Sequence, residues 1–498
     1  MTSLSVAPAP PVTLGAGTLT CAEVARLAKG GIPVTLAPIA WERIALGRRA
    51  AEELSDRRPI YGRTTGVGAN SGVEATDSEH PYRLLASHAA AAGPARGIDR
   101  VRATALVRVN QLAAGRAGIS PEVVTGLLAM LEQDSFPTVL EWGGLGTGDL
   151  GVLAAFGEYL AGRRAASDGR RTTHPIDIGV HDALPLLSSN AATLADAALA
   201  AEQLWSLTRS ATVVTALVAG VLGGSDEPTS AQSAEAAPTG GAAEAMALLT
   251  GLRLGSSLLA SRTQDAFHLR CAPQVLGAAY PVVRGLIGTV EAHLNAGIEN
   301  PMITNQTAGG PMATHQGGFY SLDVALALDS TLLAVSAIAA QSLNRVGALL
   351  DPDLSGLPAF LGDGSPAASG AMLLEYVGAS ALAELRTLAT PVTTQVVSLS
   401  RGVEDSAPFT SLAARQALSA VPLLRCVLAC ELVAAVRAAR LLEEPSRLGP
   451  GLTDLLVRCA DLPSELQDRD LSPDLVAAER LLPWLPGDPP AQPPLRSW

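Results

Sequence analysis

The sequence predicts a mainly α-helical protein: a bundle of long helices preceded by a smaller, mixed α/β N-terminal domain. Three observations lead there. Hydrophobic residues make up 48% of the 498 residues, but aromatics only 3%. The apolar content is therefore mostly Ala, Leu and Val, and compact helix formers suit closely packed long helices. From about residue 183 onward, Ala/Leu-rich segments dominate, whereas the chain before that point is broken by glycine-rich turns.

Taken in order, residues 1–20 are Pro- and Thr-rich and expected to be flexible. Residues 21–182 form the N-terminal domain, with helical patterns at 83–92, 101–115 and 121–133. Residues 183–445 form the central bundle, with long segments at 191–223, 241–261, 273–296, 321–350, 370–400 and 408–443. Several approach or exceed about 25 residues, long for a globular helix. Charges are sparse on them, so most of their surface should be buried against other helices or other subunits. The stretch 223–241 reads as a small-residue loop, and 446–498 as C-terminal helices ending in a Pro-rich tail. No fixed-period repeat is visible, and the profile argues against an alternating βα architecture.

Bulk composition narrows the partners. The net charge is −12 without a long basic run, which disfavours nucleic acid, since phosphate neutralisation needs clustered Lys and Arg. The cysteines Cys21, Cys271, Cys426, Cys430 and Cys459 show no CxxC spacing. Cys426 and Cys430 lie one helical turn apart and read as small buried hydrophobes in a reducing compartment, not as metal ligands. No metal site is expected. The N-terminus lacks a basic region, and the longest uncharged apolar stretch, 211–224, is short and glycine-interrupted for a membrane span. A cytoplasmic protein without a membrane partner is expected.

The most informative stretch is Gly143-Gly144-Leu145-Gly146-Thr147-Gly148-Asp149-Leu150-Gly151. Such glycine density means a backbone that turns tightly or is approached closely. The apolar run from Val152 to Phe156 reads as a helix start. Residues 146–151 match GxGxxG, with Asp168 at a dinucleotide-like distance. A lone match without strand–helix alternation is weak, and a tight turn entering a helix outweighs it. The remaining chemistry for such a loop is a backbone bent until it attacks itself.

Further segments decide. Tyr61-Gly62-Arg63-Thr64-Thr65-Gly66-Val67-Gly68, Ser87-His88-Ala89-Ala90, Gln264-Asp265-Ala266-Phe267-His268-Leu269-Arg270-Cys271-Ala272-Pro273-Gln274-Val275, Glu299-Asn300-Pro301, Leu350-Asp351-Pro352 and Gly402-Val403-Glu404-Asp405 occur in this order. With the glycine loop, they resemble the motifs of the aromatic amino acid ammonia-lyase and 2,3-aminomutase family. The matches run from about Tyr61 to Ala439 and are together highly specific. The resemblance implies an ammonia-lyase-like fold and a homotetramer with active sites shared between subunits. It also implies a small-molecule amino acid substrate and an internal electrophile, methylideneimidazolone, made by cyclisation of an Ala-Ser-Gly tripeptide.

Here that tripeptide is Gly146-Thr147-Gly148. Threonine also carries a β-hydroxyl, so cyclisation and dehydration would give a methyl-substituted version of the group; otherwise no cofactor is expected. The methyl hinders nucleophilic addition, and Gly146 costs more conformational entropy than alanine. By resemblance, Tyr61 is the mobile-loop base, Arg270 the carboxylate-binding arginine, His88 a pocket residue and Glu404 the carboxylate near the substrate amine. A guanidinium suits bidentate binding of a carboxylate. Other positions depart from the family. Phe267 replaces a tyrosine, Ser188 an asparagine and Gly318 an asparagine ahead of Phe319, and Ala236-Ala237-Pro238-Thr239-Gly240-Gly241 replaces Arg-Pro-His-Pro-Gly-Gln. The framework motifs survive while the pocket changes, which argues against ordinary histidine or phenylalanine deamination. Three readings follow: a divergent lyase or aminomutase, with Tyr61, Thr147 and Glu404 catalytic and His88, Arg270, Ser188, Phe267 and Phe319 binding substrate; a cofactor-free enzyme on the same scaffold doing elimination, cyclisation or isomerisation in specialised metabolism; or a non-catalytic homologue.

Overall fold

The computed structural model describes residues 10–75, 77–258, 260, 262–305 and 309–486. The flexible start expected for residues 1–9 and the Pro-rich tail from 487 lie outside the described residues. The chain forms two compact units, each discontinuous in sequence. The first comprises Met1–Glu202, Leu286–Asp329 and Pro391–Leu418, and the second Gln203–Gly285, Ser330–Thr390 and Ser419–Trp498. The sequence reading divides the chain consecutively, because it follows composition, whereas the units are set by contacts. Four of their boundaries fall inside the four longest helices, Ala191–Val221, Ala272–Leu294, Leu322–Leu350 and Thr410–Leu441, and the fifth, between Thr390 and Pro391, follows the helix Leu373–Leu388.

In the first unit, Val12–Leu14, within the segment expected to be flexible, forms a strand parallel to Val34–Leu36. Burial of Leu14 and Leu36 holds it there. The helix Cys21–Ala28 starts on a capping box: the Thr20 hydroxyl accepts from Glu23 N, and the Glu23 carboxylate accepts from Thr20 N at 2.9 Å. The helix Ile98–Leu112 is buried from Val101 to Leu112 and is the core element. The helix expected at 83–92 instead spans His80–His88, and Ala92–Ala95 is a strand antiparallel to Leu140–Trp142. Gly93 has φ +88° and lies under the Trp142 ring, where a Cβ would come within 2.8 Å of Cδ2. That tertiary contact overrides helix propensity. The third small sheet pairs Met302–Thr304 with Met312–Thr314.

In the second unit, the helix expected at 241–261 stops at Arg253, followed by Gly255 at φ +79°. That expected at 370–400 is Leu373–Leu388, before Thr390-Pro391. The expected loop 223–241 contains a short helix, Ala231–Glu235, whose N-cap Ser230 accepts from Ser233 N at 3.2 Å. Helices Gly240–Arg253 and Ala272–Leu294 meet backbone to backbone: a Cβ on Gly241 would lie 2.1 Å from Gly277 O. Arg345 and Glu431 form a buried bidentate ion pair, 2.5 and 3.1 Å.

By length and composition, Leu322–Leu350, Thr410–Leu441 and the stretch Ala183–Val221 reach the threshold for crossing a membrane. This corrects the expectation drawn from uncharged runs alone. The apolar window is 78% buried in Ala183–Val221 and 72% in Thr410–Leu441, as expected of helices that are apolar because they are packed.

His181 in the first unit and His268 in the second are both pushed down to about 4, chiefly by burial and then by neighbouring arginines. Unfolded imidazoles bind protons below about 6.5, while these two stay neutral until about 4. Stability should therefore fall as pH drops from about 6.5 to about 4 and level off below. Denaturation midpoints measured across that range, compared with His181→Gln and His268→Gln, check this: each substitution should flatten the slope.

Candidate active site

The glycine loop runs from the strand Leu140–Trp142 into the helix Leu150–Leu160. Gly146 adopts φ +85° and Gly148 φ +155°. A Cβ on Gly146 would lie 2.6 Å from the Thr410 backbone nitrogen and 2.8 Å from its Cβ and Oγ1. Glycine is thus required at 146 by both conformation and space. Hydroxyls secure the loop's carbonyls: Ser411 Oγ donates to Gly144 O at 2.6 Å, and Ser321 Oγ to Gly146 O at 3.3 Å. At the exit, Asp149 N donates to Ser189 O at 2.7 Å. The Asp149 carboxylate accepts from Thr193 N at 2.7 Å and Thr193 Oγ1 at 2.8 Å. Burial pushes the Asp149 carboxyl up, against those two bonds. Behind the loop, Arg100 bonds Asp196 at 2.8 Å and Glu141 at 3.0 Å, and Arg96 also pairs with Asp196. The described strands make only two-stranded sheets, and Asp168 is engaged by Arg170. The dinucleotide reading therefore has no sheet to rest on.

A second cluster lies in the same unit. The Tyr61 hydroxyl accepts from Gly68 N at 2.9 Å. A Cβ on Gly68 would lie 2.6 Å from Ser400 Oγ and 3.5 Å from Glu404 Oε1. Ser400 Oγ accepts from Ala69 N at 3.0 Å. The turn closed by Leu399 and Glu404 therefore docks on the Tyr61 loop. Buried Arg63 ties that loop to the rest of the unit, donating to Gly118 O at 3.2 Å, to His181 O at 3.1 Å and to Ala117 O. Burial raises the Tyr61 phenol above its ordinary range; the Gly68 N–H opposes the shift and the Glu404 charge adds to it. His315 meets Tyr61 edge to face at 6.4 Å. Tyr320 and Ser406 share a hydrogen bond of 2.5 Å.

The remaining candidates divide. Ser188 Oγ donates to Asn300 O at 3.2 Å and accepts from Asn300 N at 3.3 Å, so its hydroxyl holds backbone. Asn190 Nδ2 reaches Phe319 O at 3.4 Å, and Phe319 lies two residues before Ser321, whose hydroxyl bonds the loop. His88 ends its helix, with Nδ1 2.9 Å from Leu84 O. Its carbonyl would lie 3.7 Å from a Cβ on Gly151. Among the described residues, no hydrogen bond joins Tyr61 or Glu404 to Thr147. Phe267 and Arg270 belong to the second unit. There Arg270 stacks 4.8 Å over the Phe267 ring. Among the described residues, no carboxylate lies within ion-pair distance of Arg270. Phe267 is 65% exposed. Asp265 anchors this segment through Ser225 N at 2.7 Å and Arg262 at 3.2 Å.

Sequence reasoning missed Ser321, Thr410, Ser411, Ser400 and His315. Hydroxyls that bond the loop from 175 or 267 residues away leave no local signal. It also missed the buried pair Arg108–Glu299, at 2.9 and 3.2 Å. The Glu299-Asn300-Pro301 motif named the segment but not the arginine.

Chemically, the first cluster offers an amide nitrogen, a hydrogen-bonded carbonyl and a β-hydroxyl within one tripeptide. The second offers a partly buried phenol beside a carboxylate. A family profile described as aromatic amino acid lyase matches residues 19–460. A histidine ammonia-lyase from Symbiobacterium thermophilum is 33% identical over 497 residues, covering 95% of this chain and 96% of the relative. The phenylalanine aminomutase structure from Pantoea agglomerans superposes with a TM-score of 0.89 at 25% identity, covering 95% and 99% of the two chains. A histidine ammonia-lyase structure from Trypanosoma cruzi gives a TM-score of 0.85 at 26% identity, covering 95% and 93%.

Glu299→Leu would strand a buried guanidinium, and stability should fall by about 3–5 kcal/mol, read by chemical denaturation. Gly146→Ala should also lower stability, by about 1–3 kcal/mol, since its methyl meets backbone at Thr410 as well as a side chain.

Proposed function

This chain belongs to the aromatic amino acid lyase family, an enzyme of the ammonia-lyase and aminomutase kind, and we propose that it is a divergent member acting by C–N elimination or a 2,3-amino shift on an amino acid or related amine. The observation that carries this is the Tyr61–Gly68–Glu404 cluster, a phenol held by a backbone N–H beside a carboxylate. Tyr61 removes a substrate proton as phenolate, and Glu404 contacts the substrate amine. Arg270, without a carboxylate partner among the described residues, takes the substrate carboxylate. Phe267, Phe319 and His88 shape the side-chain pocket, and Ser188 contributes by fixing Asn300.

The tripeptide suits the family's internal group in its donor set: the Gly148 amide nitrogen, the Gly146 carbonyl with Ser321 bonded to it, and the Thr147 hydroxyl. When formed, the group supplies an electron-poor alkene that receives the substrate amine or ring. The first tripeptide position departs from the family, because the conformation at Gly146 excludes alanine. The methyl that Thr147 would bring to the electrophilic carbon favours, as a second reading, a cofactor-free enzyme on the same scaffold. We also place the protein in the cytoplasm as a homotetramer. Its five cysteines are free, and Leu326, Leu333, Leu373 and Tyr376 leave apolar surface for other copies.

Intact mass separates the two readings: a purified chain lighter by two waters supports the internal group, and an unmodified mass eliminates it. Turnover is sought with a panel of aromatic and imidazole amino acids, reading ammonia, the unsaturated acid and the β-amino acid. Tyr61→Phe should abolish turnover without unfolding the protein. Because burial raises the Tyr61 phenol, its base form grows with pH, so kcat/KM should rise from neutrality upward. A flat profile would remove Tyr61 as the base.

A further inference from the structure

Ring closure in the 146–148 loop, on which this inference rests, concentrates charge on one atom. The Gly148 amide nitrogen bonds the Gly146 carbonyl carbon, the carbonyl π pair moves onto oxygen, and the amide proton follows it. The resulting hydroxyl then leaves with the Thr147 amide hydrogen as the first water, and the bond between the Gly146 carbon and the Thr147 nitrogen becomes C=N. The Thr147 hydroxyl leaves with the α-hydrogen as the second. The hardest moment is the build-up of negative charge on Gly146 oxygen in a site without bulk water.

We infer that the Ser321 hydroxyl is the donor that stabilises this oxygen during ring closure. Ser321 and Thr410 are both fully buried, at 0% exposure. Ser321 Oγ lies 3.3 Å from Gly146 O and 3.1 Å from Thr410 Oγ1, while Thr410 Oγ1 donates its own proton to Ser321 O at 3.0 Å. Thr410's proton is thus committed, and its oxygen competes with Gly146 O for the single Ser321 proton. In the resting loop that proton is shared between two neutral acceptors. As charge grows on Gly146 O, that atom becomes the stronger acceptor and takes the proton's hydrogen bond, since bonds to charged acceptors are roughly twice as strong as neutral ones. The interaction strengthens on the way to the transition state, which is what accelerates a step. Among the described residues, no other donor reaches that oxygen. Thr410 also backs the loop, with its nitrogen, Cβ and Oγ1 closing the space beside Gly146.

The two hydroxyls predict different outcomes although each removal deletes a buried hydrogen bond. The full-length chain, refolded from denaturant before any loss of water, is followed by intact mass over time, with thermal melts recorded in parallel. Wild type should lose two waters. Ser321→Ala should mature about 100-fold more slowly, the effect of deleting one such donor. Thr410→Val, which leaves Gly146 O as the sole acceptor for the Ser321 proton, should mature at least as fast as wild type despite a similar loss in melting temperature. Equal rates for Ser321→Ala and wild type would overturn the assignment, as would equal slowing of both variants. A wild-type chain that never loses water overturns the internal group itself and this inference with it, whereas a normally maturing Ser321→Ala overturns the inference alone. Should Ser321→Ala not fold, Ser321→Cys retains a weak donor of similar size: slowed maturation supports the assignment and an unchanged rate refutes it.

Discussion

A guanidinium with no exposed surface, Arg108, is the interaction on which the first unit depends. It extends from the most buried helix, Ile98–Leu112, to the Glu299 carboxylate and to Pro185 O. Burial pushes the Glu299 carboxyl up while the Arg108 charge opposes it. The pair is tolerable only because each partner satisfies the other. From Glu299 the bonding continues: Gln316 donates to Glu299 O at 2.5 Å and to Asn300 Oδ1 at 3.1 Å. From Pro185 the chain passes to Ser188, which grips Asn300. Gln111, one turn beyond Arg108, accepts from Ser189 Oγ at 2.6 Å, and Ser189 O receives Asp149 at the loop exit. One buried cation therefore ties together three segments, one of which, through Ser189, bonds the exit of the glycine loop.

The loop itself is shaped by exclusion as much as by bonding. Glycine at 146 is fixed by the Thr410 backbone, and Asp149 by a pocket of Thr193 and Ser189. The bonds around it come from serine and threonine hydroxyls, which rotate and can follow a change in charge, unlike a guanidinium held in a fork. That arrangement suits a backbone whose own carbonyl is to become, briefly, an anion. The Tyr61 cluster is built differently, by one turn docking on another with Gly68 as the close contact. Its phenol keeps its proton more firmly than an exposed tyrosine would.

Helix identity was legible in the sequence because long Ala/Leu runs carry their own signal: Pro121–Gln133 coincides with the expected 121–133, and Leu322–Leu350 with 321–350 to within a residue. Ends governed by neighbours were not. The segment around Gly93 turned into strand under Trp142, and the helix expected to reach 261 stopped at Arg253 ahead of Gly255. Site segments were legible as motifs, but what each hydroxyl or charge touches was not. Ser188 was legible as a candidate ligand contact, but its hold on Asn300 was not, and Arg108 attracted no notice at all.

The order of residues alone determined the family, the helical class and the chemical inventory: a threonine between two glycines, a tyrosine in a glycine-rich turn, an arginine and a glutamate in their motifs. These are properties of local composition and spacing, which survive without coordinates. Only the tertiary structure decided that Ser321 bonds Gly146 O with Thr410 beside it, that Gly68 brings Tyr61 beside Glu404, and that Arg108 is neutralised by Glu299. The hydrogen bonds of Ser321 to Gly146 and of Arg108 to Glu299 join residues 175 and 191 positions apart. Burial makes each one matter, because a charge or hydroxyl removed from water must find its partner within the fold.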